Sequence, residues 1–188
     1  MGDQSDIDIS PYKHAVLDMF CWMIEEAFDG DEQSLMANLK NIREEDWTAL
    51  PPGGGRSIAD ILEHIGWCKW MYQDYAFGTA SLRGYQPPLI PADGARTRPN
   101  NELIQWLREG HNKWLASVRV LKADGELERI RLTNWGEHLP TQTIIRIMIA
   151  HDYYHAGEIN HLRSLLQRTD HWEYESSPGN GSMDSDAS

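Results

Sequence analysis

The chain is short of cysteine, of positive charge and of long apolar runs. Cys21 and Cys68 are its two cysteines in 188 residues, too few for a disulfide framework and suited to a reducing compartment. Lys and Arg number 17 against 29 Asp and Glu, for a net charge of −12. An acidic surface repels a phosphate backbone, which argues against nucleic acid as a partner. Part of the excess is local: residues 173–188 carry Glu173, Glu175, Asp184 and Asp186 and no base. No apolar stretch approaches the roughly 20 residues that span a bilayer, so no membrane role is expected. The opening text "MGDQSDIDIS" lacks the basic and apolar regions of a signal peptide. These absences together lead to the expectation of a cytoplasmic protein.

What is present is ordinary for a packed domain, with one exception. Hydrophobic residues make up 40% of the chain, enough for a core and too many for a disordered protein. Tryptophan is the exception, at eight copies, and such large rings need burial or a pocket. Residues 1–10 read as a flexible lead-in, 11–168 as one helical domain, and 169–188 as an acidic, disordered tail. Residues 11–28 have helical patterning with Pro11 in the first turn. A shorter helix, "EQSLMANLKNI", is expected to run to about residue 42. "PPGGG" at 51–55 breaks the chain. Ser57 and Asp60 then form an S-x-x-D start, and Gly78 a stop, for a helix between them. Residues 79–99 are a long irregular loop, 101–121 a third main helix, and 122–140 a region with a short extended stretch near a turn. The last helix runs from about 141 to 167. Four long helices with almost no strand predict an all-α bundle with an extra short helix near its N-terminus and long irregular loops.

The last helix contains "IAHDYYHAGEINHLRSLL". At about 100° per residue, with His151 at zero, Ile144, Ile147, Met148, Leu162, Leu165 and Leu166 all fall within about 60° and mark an apolar stripe. His155 and Glu158 lie inside that stripe, His161 at its edge, Tyr153 opposite, and Asp152 about 100° away. Three polar side chains stacked on a core stripe need a network or a metal, because a buried polar group without a partner costs about 1–3 kcal/mol. Histidines four apart aim two imidazoles at one ion. In the second main helix His64 shares a stripe with Ile61, Cys68, Met71 and Tyr75. His64, His151 and His155 thus form a three-histidine set with an open fourth position, as in catalytic zinc sites.

Each residue also has a plainer reading. His64 could be a core histidine; Cys68, one turn on, could reach the metal region but reads more readily as a small buried hydrophobe. Glu158 could accept an imidazole N–H, serve as a fourth ligand, act as a general base, or pair with Arg163 or Arg146. "HDYYH" is not the H-E-x-x-H of zinc proteases, since Asp152 replaces the glutamate and points aside. Glu158 and His161 make one Glu-x-x-His, but a di-iron bundle needs a second copy, which the sequence lacks.

The segments "GGGRSIADILEHIGWCKWMY", "TNWGEHLPT" and "MIAHDYYHAGEINHLRSLL" resemble, in that order and separation, the DinB-like (YfiT-type) metal-binding four-helix bundles over about residues 12–168. The resemblance implies an up-down-down-up bundle that holds a divalent metal, zinc or nickel, on His64, His151 and His155. It also implies a homodimer. Several branches of that family look like transferases or isomerases that use mycothiol, bacillithiol or glutathione. The expected function is a metal-dependent S-transferase or isomerase acting on a small thiol and an electrophile, with Glu158 catalytic and Trp67, Trp70, Tyr72 and Tyr75 as candidate walls. The alternatives are a metal-dependent hydrolase and a non-catalytic metal-binding protein linked to stress.

Overall fold

The computed structural model describes residues 14–31, 33–82 and 99–167. The expected lead-in, the first turn around Pro11, most of the 79–99 loop and the acidic tail lie outside the described residues. Four helices form the body: α1 (Ala15–Asp29), α2 (Ile58–Phe77), α3 (Asn100–Arg119) and α4 (Thr141–Gln167). Between α3 and α4 a small antiparallel hairpin pairs β1 (Ile130–Leu132) with β2 (His138–Pro140). This is the short extended stretch expected there. Gly136, at φ 92°, turns the hairpin in a conformation that side chains other than glycine rarely adopt.

Side-chain pairs give the helix directions. Gly66 and Gly110 each lie under a tryptophan of the other helix, Trp106 and Trp70 respectively, so α2 and α3 run parallel. Asp29 pairs with Arg108 and Glu25 with Arg119, so α1 is antiparallel to α3. Arg56 pairs with Glu158 and Lys69 with Asp152, so α4 is antiparallel to α2. The bundle is therefore up-down-down-up. A parallel α2–α3 pair needs a crossover, and residues 78–99 are long enough to make one.

The expected short helix at about 32–42 is a correction. Only Ala37–Leu39 is helical there, as a single 3-10 turn. Side chains take over the backbone groups that a helix would use. Asn38 Nδ2 donates to the Ser34 carbonyl at 2.8 Å, and Ser34 Oγ accepts from the Ala37 N–H. Asn41 then takes φ 59° and turns the chain away. Leu35 and Leu39 still reach the core.

The core has two parts. One gathers Ile61, Ile65, Trp106, Ala156 and Ile159 with Phe28, Leu35 and Trp47. The other gathers Leu17, Ile24, Trp114, Val118, Ile144, Ile145 and Met148. On α4 the second cluster ends at Ile149 and the first begins at Ala156. His151, Asp152 and His155 occupy the gap, so a polar layer separates two apolar ones.

Candidate metal centre

The layer is built by α2 and α4 from opposite directions. A capping box fixes where α2 begins: Ser57 Oγ accepts from the Asp60 N–H, and the Asp60 carboxylate accepts from the Ser57 N–H at 2.8 Å. That start sets the phase that brings His64 round to α4. His64 Nε2 lies 3.1 Å from His151 Nε2, and His155 Nε2 lies 3.2 Å from the same atom. Two nitrogens on a tetrahedral ion with bonds of 2.0–2.1 Å stand about 3.3 Å apart. The spacing fits.

Hydrogen bonding alone does not account for this cluster. A ring nitrogen carries either one N–H or one lone pair, so His151 Nε2 cannot bond well to both neighbours at once. His155 Nδ1 is 2.7 Å from Glu158 Oε2, an arrangement that places the proton on Nδ1 and leaves the Nε2 lone pair free. A carboxylate behind a ligating imidazole fixes its tautomer and raises its basicity. Glu158 is itself held by Arg56, whose Nη2 lies 2.7 and 3.0 Å from its two oxygens. The chain Arg56–Glu158–His155 thus leads from solvent to the cluster.

Electrostatics favour neutral rings. Burial, then His155, His64, Lys69 and Arg56, together push the His151 imidazole down to about 3. Burial also lowers His64 and His155, with Glu158 acting against the shift in both. Neutral imidazoles present lone pairs, as a ligand set requires.

Cys68 joins the group. Its Sγ is 3.8 Å from His64 Nε2, and the donor atoms of His64, Cys68 and His151 lie within 4.8 Å of one another, close enough to hold a metal ion. Burial raises the free thiol to about 11. The donor atoms that lie together as one group are those of His64, Cys68 and His151, and His155 adjoins them through its 3.2 Å contact with His151.

Behind the cluster lies a buried ion pair. Lys69 Nζ sits 2.5 Å from Asp152 Oδ2, with both side chains almost fully enclosed. Burial raises the Asp152 carboxyl and Lys69 opposes that shift. Asp152 Oδ1 and His151 Nδ1 are buried without a hydrogen-bond partner among the described residues.

The geometry corrects the helical wheel in one respect. The apolar centre of α4 is not at His151. Ile145, Ile149, Asp152, Ala156 and Ile159 are buried, whereas Leu165 is exposed and Ile147 and Leu166 are half-buried. The core face is centred about 90° round from His151, near Asp152. His64 and His151 are half-buried at its rim, and His155 is buried just inside. His161 is exposed. Asp152 is turned from the histidines, as expected, but into the core. Glu158 pairs with Arg56 rather than Arg163 or Arg146. The sequence reading missed Arg56 and Lys69. Their signals were an Arg at the end of a glycine loop and a Lys on a core face. Of the candidate walls, Trp67 is in the core and Trp70 lies against α3. Tyr72 stands next to Cys68 and packs on Trp135 of the hairpin turn, with ring centroids 5.6 Å apart.

Fold and site together define a class: helical bundles in which two antiparallel helices bring a His/Cys donor group to the rim of the core. The chain belongs to the DinB superfamily, whose sequence profile matches residues 27–159. That span includes His64, Cys68, His151, His155 and Glu158. Among curated proteins none matches the chain. No helix among the described residues is long and apolar enough to cross a membrane.

Proposed function

We propose that the protein is a divalent-metal-dependent S-transferase or isomerase that works with a low-molecular-weight thiol such as mycothiol, bacillithiol or glutathione. The observation that supports this reading is that the Nε2 atoms of His64 and His155 each stand at ligand spacing from His151 Nε2. Zinc or nickel suits imidazole donors. Such an ion supplies a Lewis acid that holds a bound thiol as thiolate near neutral pH.

The chain's own residues prepare that chemistry. His64, His151 and His155 present lone pairs from two helices, so the site depends on the fold. Glu158 keeps the proton of His155 on Nδ1, and Arg56 holds Glu158 in place. In this reading Glu158, expected from the sequence to be catalytic, acts instead by positioning His155, since both its oxygens already have partners. Tyr72 and Trp135 supply an aromatic face next to Cys68 for an apolar electrophile.

The test is a panel of the three thiols with model electrophiles, run on zinc- and nickel-loaded protein. Thiol consumption with one or more pairs, abolished in His151→Ala, is the expected result. Glu158→Gln should weaken metal binding by about 10–100-fold, read by competition with a chelating dye. Cleavage of esters or amides with no thiol consumed would replace this reading with a hydrolase. Failure of the protein to bind zinc or nickel would remove it.

A further inference from the structure

We propose that Cys68 is a displaceable fourth protein ligand of this site, occupying the corner that an outside sulfur would have to take. The inference rests on the metal reading above and adds a gate to it.

Three observations lead here. Cys68 follows His64 by four residues on α2, so both side chains leave the same face of the helix. Its Sγ stands 3.8 Å from His64 Nε2, where a nitrogen and a sulfur on one tetrahedral ion would be about 3.6 Å apart. The same sulfur lies within 4.8 Å of the His151 donor atom. Cys68 also packs against the second core cluster, which would explain a small apolar residue there. Packing alone does not explain why its sulfur is directed at ring nitrogens. His155 Nε2 stands 3.2 Å from His151 Nε2, next to this group of two imidazole nitrogens and one sulfur.

The exchange balances without any redox partner. On coordination Cys68 gives its proton to solvent and gains one sulfur–metal bond. An incoming thiol loses its proton, takes that bond, and Cys68 recovers a proton. The resting site is then closed to water and weak anions, and opens to a ligand that binds more strongly than Cys68 does. This selects for thiols among small molecules.

Cobalt substitution tests the proposal directly. Thiolate bound to cobalt gives a charge-transfer band in the near ultraviolet, separate from the visible ligand-field bands of the bound ion. The wild type should show both sets of bands. Cys68→Ser should keep the visible bands and lose the charge-transfer band. Its visible spectrum should shift at an azide concentration lower than the wild type needs by about tenfold. Visible bands without a charge-transfer band in the wild type would overturn the role of Cys68 and leave the three-histidine site standing. Absence of visible bands in the wild type would overturn both. Alkylation of the wild type needs no variant: bound metal should slow iodoacetamide at Cys68 and leave Cys21 unchanged. Equal alkylation of Cys68 with and without metal would also overturn the proposal.

Discussion

The residue with most at stake outside the histidine cluster is Asp152. It neighbours His151 in sequence but turns into the core, where Lys69 is its partner and both are enclosed. Two charges taken from water lose several kcal/mol of solvation each, and only close pairing offsets this. Phe28 covers the ammonium, 5.1 Å from its ring centroid, so no water shell can replace a lost partner. Asp152→Asn or Lys69→Met should each therefore cost about 3–5 kcal/mol, because each strands the other group. The double variant Lys69→Met with Asp152→Leu should recover most of that loss, since an apolar pair of similar volume carries no stranded charge. Urea midpoints of the four proteins would show the recovery. Additive losses in the double variant would mean that the pair is not what stabilises this layer. The pair also holds α2 against α4 next to His64 and His151. A double variant that refolds but binds metal poorly would show that it also keeps the two helices in register.

At the scale of elements, α2 and α3 lie side by side because each supplies a glycine notch for the other's tryptophan. A Cβ on Gly66 would stand 2.2 Å from Trp106, and one on Gly110 would stand 2.8 Å from Trp70 Nε1. Trp106 is buried and has no room to retreat, whereas Trp70 is half-buried. Gly66→Ala should thus destabilise by at least about 1–3 kcal/mol, the usual cost of overpacking, and Gly110→Ala by less. Gly157→Ala is the control. Nothing lies within 4 Å of its Cβ position, so the better helix former should stabilise α4 by about 0.5–1 kcal/mol. Thermal melts of the three variants would check the order. A Gly66→Ala variant as stable as the wild type would show that the helices do not depend on this contact. These notches also show what was legible in the sequence. Helix existence was, because Ser57, Asp60 and Gly78 announce the ends of α2 and apolar spacing fills the rest. The position of His64 opposite His151 and His155 followed from the same periodicity and from the family resemblance. The short helix near residue 35 was not legible, because Ser34 and Asn38 bonding to nearby backbone decides against it. Nor was the centre of the α4 face. A wheel anchored on the histidines treats them as the core, and Asp152 shows its burial only once Lys69 is known to meet it.

For the whole molecule, the two apolar layers and the polar layer between them set how stability responds to pH. Histidines enclosed in neutral form make folding resist protonation. His111 shows this away from the candidate metal site. It is buried and stacked on Phe28 with ring centroids 3.7 Å apart. Burial, then Lys69, Arg108 and Arg119, push its pKa down to about 2. In the unfolded chain the same ring titrates near 6.5 by the ordinary value for histidine. Between these limits the unfolded state binds a proton that the native state refuses. The stability His111 contributes is therefore complete above about pH 6.5 and falls as pH drops, by about 1.4 kcal/mol per unit. His151, lowered to about 3, acts with the same sign in metal-free protein, so the wild-type slope combines at least two groups. His111→Phe keeps a flat ring on Phe28 and removes one titrating site. In metal-free protein its unfolding free energy, plotted against pH from 6 to 4, should fall less steeply than the wild type by about one proton's worth. Parallel curves would mean that His111 takes up its proton without unfolding the layer around Phe28.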